Sequence, residues 1–234
     1  MKVRKKRFRL TSIYLIVLLG FILISFFYSK AVTVLSEQSD FKHNNTIVID
    51  AGHGKPDGGT TSCTGVTEDV INLEIALRLD DLMHLLGINT VMVRRDEQSI
   101  YTEGESIAKK KISDLKNRVN LVNNAENAIL VSIHQNFFPD SKYSGAQVFY
   151  NDKDSRELAK LLQNEFTRTL NIGSKRQVKG GKGIYLLEHI NCTGVLVECG
   201  FLSNPQEEYL LRNDNYQKKI CCVIASSLSA YMNS

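Results

Sequence analysis

The sequence has no cysteine before Cys63, no C-x-x-C pair and no G-x-S-x-G motif. Without an early cysteine, the chain cannot be a lipoprotein that is anchored through its N-terminus. The five cysteines are odd in number and include the adjacent pair Cys221 and Cys222, so they define no disulfide framework. Their spacing excludes a zinc site of paired cysteines, and the missing motif leaves a serine hydrolase unsupported. Cys199 and Cys222 lie in apolar stretches and are expected to be buried.

Acidic residues are also missing from the first 30 positions, which hold seven of the 29 lysines and arginines. The remaining residues carry 22 basic and 25 acidic side chains, a net charge of −3, although the whole chain carries +4. The positive balance therefore belongs to the N-terminal segment. No basic face with interleaved aromatic residues follows it, so nucleic acid is excluded as a partner.

The first 31 residues are typical of a membrane anchor or a signal peptide. A basic cluster within residues 2–9 precedes an apolar run at 13–28, and with residues 10–12 this run can cross a bilayer, which takes about 20 residues. The run exceeds the apolar core of about 7–15 residues of a signal peptide, which favours a retained anchor. Cleavage after Ala31 is the alternative. The basic flank places the N-terminus in the cytoplasm and the rest of the chain outside it.

The rest of the chain predicts a polar linker at 32–45 and one domain at 46–234. A hydrophobic content of 43% and a charged content of 23% indicate a packed core rather than disorder. We find no internal repeat, low-complexity tract or second domain.

Strand and helix patterns alternate through this domain. Apolar and β-branched runs predict strands at 46–49, 90–93, 129–133, 148–150, 184–187 and 195–197. Helical spacing predicts helices at 68–86, from Ser113 to 124, from Ser155 to about 170, and at 216–231. Residues 96–111 are expected to form a charged surface loop. The alternation predicts an α/β fold, a single domain with a mostly parallel twisted sheet covered by helices on both faces, preceded by an N-terminal transmembrane or signal helix.

Four side chains suited to metal chemistry occupy matching points of this pattern. His53 follows the first strand, His134 and Glu198 end two later strands, and Glu68 opens the first helix. Ligands of open α/β sheets gather at the carboxyl ends of the strands, so the topology brings the four residues to one edge. Taken singly, each is better explained as an ordinary polar residue or, for Glu68, as an acid favoured by the helix dipole. Their shared position favours a site.

The chemistry of the set is coherent. Two neutral imidazoles and one carboxylate form a three-ligand zinc site that keeps a position open for water. Zinc lowers the pKa of that water and polarises a substrate carbonyl, and a nearby carboxylate must then carry the proton. Glu198 suits this role better than Glu68, because its strand holds it rigidly.

Four blocks of the sequence resemble the signature blocks of the zinc-dependent N-acetylmuramoyl-L-alanine amidases, amidase type 3. The blocks are TIVIDAGHG at 46–54, ED at 68–69, SIHQN at 132–136 and VLVECGFLSN at 195–204. They stand in the family's order and cover essentially the whole domain. Gln135 and Thr193 depart from the family pattern, but neither removes a candidate ligand.

The resemblance implies roles for individual residues. His53, Glu68 and His134 match the zinc ligands, and Glu198 matches the catalytic glutamate. Arg118 matches a recurrent arginine of the family, which would orient its helix or pair with an acid near the site.

The resemblance also implies an activity, the hydrolysis of the amide bond between N-acetylmuramic acid and L-alanine of the peptidoglycan stem peptide. Short chains with one hydrophobic N-terminal segment and no wall-binding repeats are similar to the germination-specific, CwlD-type members, which act on spore cortex in a step toward muramic-δ-lactam. The expected location is extracytoplasmic, either anchored in the membrane or secreted.

The expected partners are the peptidoglycan glycan strand and stem peptide, and the membrane through the N-terminal segment. Because no wall-binding module is present, an exported protein that holds or activates the enzyme is a further candidate. Two other functions stay open. One is a zinc carboxypeptidase, for which the sequence shows no basic pocket that could bind a terminal carboxylate. The other is a non-catalytic peptidoglycan-binding regulator.

Overall fold

The structure, a computed structural model, describes residues 18–20, 24–25 and 45–234. Most of the predicted signal or anchor segment and nearly all of the predicted linker lie outside these residues. Within the part that is described, no helix combines the length and the apolar character needed to cross a membrane.

Strands and helices alternate from Thr46 to the C-terminus. The strands are β1 Thr46–Ala51, β2 Thr90–Met92, β3 Ala128–Asn136, β4 Gln147–Tyr150, β5 Lys179–Gly180 and β6 Thr193–Phe201. The helices are α1 Glu68–Leu85, α2 Ile107–Asn124, α3 Lys153–Thr169, α4 Tyr185–His189, α5 Pro205–Leu211 and α6 Asp214–Met232.

The strands form a six-stranded sheet in the order β2-β1-β3-β6-β4-β5. The first four strands of this order are parallel, whereas β4 runs antiparallel to β6 and pairs in parallel with β5. The predicted α/β class and mostly parallel sheet are confirmed. The antiparallel β4 makes the sheet mixed.

Helices cover both faces of the sheet, as predicted. The side chains of β3 alternate between the faces, since successive residues of a strand point to opposite sides. Val131 and Ile133 belong to the larger apolar core together with α1, α3 and α6. Leu130 packs into a smaller core with α2 and α4. His134 therefore lies on the α2 and α4 face, and so does Glu198, which is two residues beyond Leu196.

Three helices begin earlier than predicted: α6 begins two residues early, at Asp214, and α2 and α3 begin after earlier capping residues. The helix α2 begins at Ile107, where the Ser106 hydroxyl accepts a hydrogen bond from the Lys109 N–H at 3.3 Å, and Ser113 is buried inside the helix. The last part of the predicted 96–111 loop is therefore helical. In α3 the cap is Asp152, whose carboxylate accepts from the Ser155 N–H at 2.9 Å. In both cases another capping residue stands upstream of the predicted one.

The predicted strand at 184–187 is wrong. Its residues form the short helix α4, because a short apolar run has the same hydrophobic pattern in a buried strand and in a buried helical turn. The helix α5 and the two-residue strand β5 were not predicted. All five cysteines are free thiols; Cys199 is buried as expected, but Cys222 is exposed on α6.

Candidate functional site

The candidate residues meet at the carboxyl edge of the sheet. His53 lies two residues beyond the end of β1, and Glu68 is the first residue of α1. Both β3 and β6 run further than predicted, so His134 and Glu198 lie within their strands, where they are directly paired neighbours. Glu68 reaches over the edge from the opposite face of the sheet.

Glu68 stands between the two histidines. One of its carboxylate oxygens lies 2.9 Å from His134 Nδ1, and the other lies 3.3 Å from His53 Nε2. One ligand atom from each of the three residues lies within 4.8 Å of the others. Burial favours the neutral form of Glu68, but the hydrogen bonds from His134 and His53 outweigh it and hold the pKa of the carboxyl far below its usual range. Glu68 is therefore a carboxylate at neutral pH.

Backbone and amide donors hold the Glu68 carboxylate in place. It accepts hydrogen bonds from the Gln135 N–H at 3.1 Å, the Thr60 N–H at 3.1 Å and the Asn72 side chain at 3.2 Å. Gln135, which departs from the family pattern, contributes its backbone here, and its side chain donates to Asn72. The orientation of Glu68 is thus set by several neighbours.

A contact at its other ring nitrogen holds His53 in place. Its Nδ1 lies 3.0 Å from the Asp57 carboxylate, which also forms an ion pair with Lys111 at 2.8 Å. Burial disfavours the charged imidazole, but the hydrogen bond to Asp57 and the contact with Glu68 outweigh it and raise the pKa of His53 to about 9. A carboxylate behind a histidine orients the ring of a metal ligand and fixes its tautomer. Asp57 was not singled out from the sequence, although its spacing of four residues from His53 was the available signal.

A buried arginine lies beneath the loop that carries His53. Arg118 forms ion pairs with Asp50 and, at 2.7 Å, with Asp114, and it donates to the carbonyl oxygens of Ala51 and His53. The structure thus answers the question that the sequence left open, because Arg118 pairs with acids beside the site.

Arg94 makes a second set of contacts to the same loop. It donates to the carbonyl oxygens of Ala51 at 2.8 Å and Gly52 at 3.0 Å, and also to that of Asp69 at 2.8 Å. Together the two arginines hold a backbone in which His53 has a φ of 60°, a conformation that is uncommon outside glycine.

Two glycines leave room for the ligand side chains. A Cβ at position 52 would lie 2.3 Å from the His134 ring. A Cβ at position 59, where φ is +67°, would lie 2.6 Å from the Glu68 carboxylate. Gly52 and Gly59 are therefore required by close approach.

Glu198 has properties that differ from those of Glu68. Its Oε2 is buried and has no hydrogen-bond partner among the described residues. Burial raises the pKa of Glu198 to about 7; the positive charge of His134 opposes this shift and the negative charge of Glu68 adds to it. A carboxyl with a pKa near 7 can both accept and donate a proton at neutral pH. A buried oxygen without a partner also needs a polar group beside it.

These observations test whether the residues fit a metal ion. Two imidazoles and a carboxylate converge from three segments, their supporting hydrogen bonds are in place, and Glu198 presents an unpaired oxygen next to them. Nitrogen and carboxylate oxygen donors in this number are those of hydrolytic metal sites. The residues fit such an ion.

A cavity of about 230 Å³ leads from these residues between α2 and the start of α4. His53 and His134 lie at one end of the cavity, Lys111 and Leu115 form one wall, and Tyr185 belongs to the opposite wall.

Comparison with known proteins agrees with the site. Residues 47–230 match the family model of the type 3 N-acetylmuramoyl-L-alanine amidases. The germination-specific N-acetylmuramoyl-L-alanine amidase of Bacillus subtilis is 35% identical over 223 residues, which are 92% of each chain.

Solved structures of amidases are also similar to this chain. The CwlD amidase of Clostridioides difficile, determined in complex with the GerS lipoprotein, superposes with a TM-score of 0.77 at 41% identity and covers 80% of this chain and 98% of its own. An N-acetylmuramoyl-L-alanine amidase of Clostridium difficile 630 gives 0.70 at 30% identity and covers 81% of this chain and 97% of its own. The chain therefore belongs to the type 3 family of N-acetylmuramoyl-L-alanine amidases.

Proposed function

We propose that this amidase binds zinc through His53, Glu68 and His134, and that Glu198 carries the proton during hydrolysis of the N-acetylmuramoyl-L-alanine bond. The convergence of the three ligand atoms within 4.8 Å, beside the unpaired oxygen of Glu198, is the observation that supports it. When bound, zinc would supply Lewis acidity, which polarises the scissile carbonyl and lowers the pKa of water.

Glu198 serves first as a base and then as an acid. Its pKa of about 7 leaves an ionised fraction at neutral pH that can accept a proton from the attacking water. The same oxygen then returns the proton to the nitrogen of L-alanine as the amide bond breaks. Because β6 holds the residue beside His134, the carboxyl needs no large movement between the two steps.

The residues around the ligands keep them ready for this reaction. Asp57 fixes the His53 ring, and the backbone N–H groups of Thr60 and Gln135 fix Glu68. Such supporting contacts change metal affinity or activity about 10–100-fold when they are removed.

We also propose that the substrate is spore-cortex peptidoglycan and that the enzyme acts outside the cytoplasm, held near the membrane by its N-terminal segment. Similarity to the germination-specific enzyme over 92% of both chains supports the cortex assignment. The related CwlD structure contains a lipoprotein, and this supports an exported partner protein for the present chain as well.

The test of the mechanism separates metal binding from turnover. The full-length chain in mild detergent is incubated with purified cortex, and the released peptides are identified by mass spectrometry. The wild type should release peptides with a free N-terminal L-alanine, and it should stop when a chelator is added. Cleavage within the stem peptide would instead indicate a peptidase.

Glu198→Gln should retain zinc, measured by atomic emission, but lose turnover by at least about 100-fold, because it removes the only group proposed to move the proton. His134→Ala should lose zinc. The control is Glu157→Gln, which changes an exposed glutamate of α3 and should alter neither quantity. Normal turnover in Glu198→Gln, or loss of its zinc, would show that the roles are assigned wrongly.

A further inference from the structure

One wall of the cavity at the candidate metal-binding residues is largely apolar. It is formed by Ile184, Tyr185 and Leu186 at the start of α4. None of these residues is proposed to bind zinc or to move the proton, so the mechanism leaves the wall without a role. The wall borders the same space as His53 and His134, and a bound substrate must occupy that space.

Hydrogen bonds within the chain fix the position of this wall. The Ile184 N–H donates to the carbonyl oxygen of Gly181 at 2.9 Å, and the Gly183 N–H donates to the Glu188 carboxylate at 2.7 Å. Gly183 has a φ of 86°, which glycine adopts without strain. Leu186 is buried in the smaller apolar core. The fold therefore sets the shape of the wall.

Tyr185 is the aromatic side chain of the wall. Its ring stacks on the His189 imidazole, with the centroids 4.0 Å apart and the ring planes at 21° to each other. The His189 Nδ1 lies 2.8 Å from the carbonyl oxygen of Tyr185, which holds the imidazole in this position. Tyr185 lines the cavity, whereas His189 does not. The stacking thus supports the tyrosine ring from outside the cavity and leaves the rest of the ring available to a ligand.

The charged side chains of the cavity are already paired with one another. Lys111 forms an ion pair with Asp57 at 2.8 Å, and Arg118 forms ion pairs with Asp50 and, at 2.7 Å, with Asp114. Apart from the two histidines, these five are the charged residues that line the cavity in the described part of the chain. The cavity therefore offers no unpaired charge to an ionised group of a ligand, and burying such a group there would be costly.

These properties distinguish the two sides of the substrate. On the carbonyl side of the scissile amide is N-acetylmuramic acid, which is uncharged because its carboxyl group forms the amide. On the nitrogen side is the stem peptide, which carries at least its ionised C-terminal carboxylate. A sugar ring presents C–H groups on its faces, and these pack well against the negative face of an aromatic ring. The uncharged cavity with its aromatic wall therefore suits the sugar better than the peptide.

We propose that Tyr185 determines specificity for the muramoyl side of the substrate, by packing against the N-acetylmuramic acid ring while the amide bond lies at His53 and His134. The inference rests on the proposed function, since it takes the bond beside these histidines as the one that is cleaved. Tyr185 contacts the sugar and not the reacting atoms. Its loss should therefore change KM more than kcat.

The test compares two substrates that differ only in the sugar. One is an N-acetylmuramoyl-L-alanyl peptide, and the other is the lactoyl-L-alanyl peptide, which keeps the scissile amide but lacks the ring. The full-length wild type with zinc should have the lower KM for the muramoyl peptide. Tyr185→Leu should raise that KM about fivefold to tenfold, the size of one aromatic contact, and leave kcat within a factor of two. For the lactoyl peptide, KM should change less than twofold.

Tyr185→Phe and Tyr209→Leu are the controls. The first keeps the aromatic ring and should keep KM for the muramoyl peptide within about threefold of the wild type. The second removes an exposed tyrosine of α5 that does not line the cavity, and it should leave both KM values unchanged.

Three results would overturn the proposal. If Tyr185→Leu raises KM for both substrates by the same factor, the side chain does not recognise the sugar. If it raises KM for neither substrate, the ring makes no contact with the substrate. Equal KM values of the wild type for the two substrates would exclude a sugar site without the need for any variant.

A binding measurement separates this inference from the proposed reaction. Calorimetric titration of the two peptides into full-length Glu198→Gln, with and without Tyr185→Leu, needs no turnover. Tighter binding of the muramoyl peptide that disappears in the double variant would support the assignment even if the wild type released no L-alanine peptide. Equal affinity of Glu198→Gln for the two peptides would overturn it even if the hydrolysis proceeded as proposed.

Discussion

Replacing Arg118 with methionine should destabilise the domain strongly, although the side chain lies outside the cleft's reacting centre. The methionine fills a similar volume but removes the partner of two buried carboxylates, Asp50 and Asp114. It also removes the donors to the carbonyl oxygens of Ala51 and His53. The Arg118 and Asp50 side chains are only 2% and 1% exposed, so water cannot replace the lost contacts.

The size of the effect follows from this burial. Removing one partner of a buried ion pair costs about 3–5 kcal/mol, and for a domain of this size that lowers the melting temperature by roughly 6–20 °C. The measurement is thermal unfolding of the full-length chain in mild detergent, followed by circular dichroism. The matched control is Arg168→Met, which breaks a surface ion pair with Glu165 and should cost less than about 1 kcal/mol.

The pH dependence gives a second, independent readout. Burial raises the pKa of Asp50, but Arg118 and the Ser132 hydroxyl outweigh it and hold the pKa below the ordinary value of 3.8. In the wild type this group's contribution to stability is present above pH 3.8 and is lost as the pH falls through the lowered value. Without Arg118, burial should raise the pKa of Asp50, so the variant recovers stability on acidification.

The difference in stability between the two chains should therefore narrow from pH 7 to pH 4. Adding Asp50→Asn to Arg118→Met should recover at least about 1 kcal/mol at pH 7, because no charge is then left unpaired at that position. A deficit below 1 kcal/mol, or one that does not change with pH, would refute the electrostatic explanation.

Two further predictions concern the metal-binding residues. Gly52→Ala should lower zinc affinity at least tenfold, measured in competition with a chelating fluorophore, because its Cβ would lie 2.3 Å from the His134 ring. The control Gly180→Ala should leave zinc affinity unchanged, because its Cβ would meet nothing within 4 Å. Equal zinc affinities of the two variants would contradict this prediction. Asp57→Asn should lower zinc affinity about tenfold, because the charge behind His53 is lost. The melting temperature should change little, since the other interaction lost is an ion pair with the exposed Lys111. An unchanged zinc affinity would mean that Asp57 does not act through His53.

Much of the fold could be predicted because the signals were periodic and local. The spacing of apolar residues in α1 and the β-branched runs of β1 and β3 identify their elements, and the order of strands and helices then predicts the α/β class. The prediction of a strand at 184–187 was wrong for a physical reason, since four apolar residues are too few to distinguish a strand from a helical turn. The start of α2 was predicted too late because Ser106 and Ser113 are equally good capping residues.

The candidate site, like the fold, could be predicted from the sequence only in part. The meeting of His53, Glu68 and His134 at one edge follows from topology, which the sequence pattern supplies. The contribution of Asp57 and the contact of Arg94 with the loop depend on how a glycine-rich segment folds back on itself, and no periodic pattern describes that.

The loop that leaves β1 shows how residues without a ligand role determine ligand geometry. Its carbonyl groups at Ala51, Gly52 and His53 point to the guanidinium groups of Arg94 and Arg118. These charged donors compensate for the left-handed backbone of His53, a conformation that costs on the order of 1–3 kcal/mol. If the loop relaxes in Arg118→Met, the His53 ring must leave its position against Glu68. Zinc affinity should then fall together with stability, even though Arg118 is not among the proposed ligands.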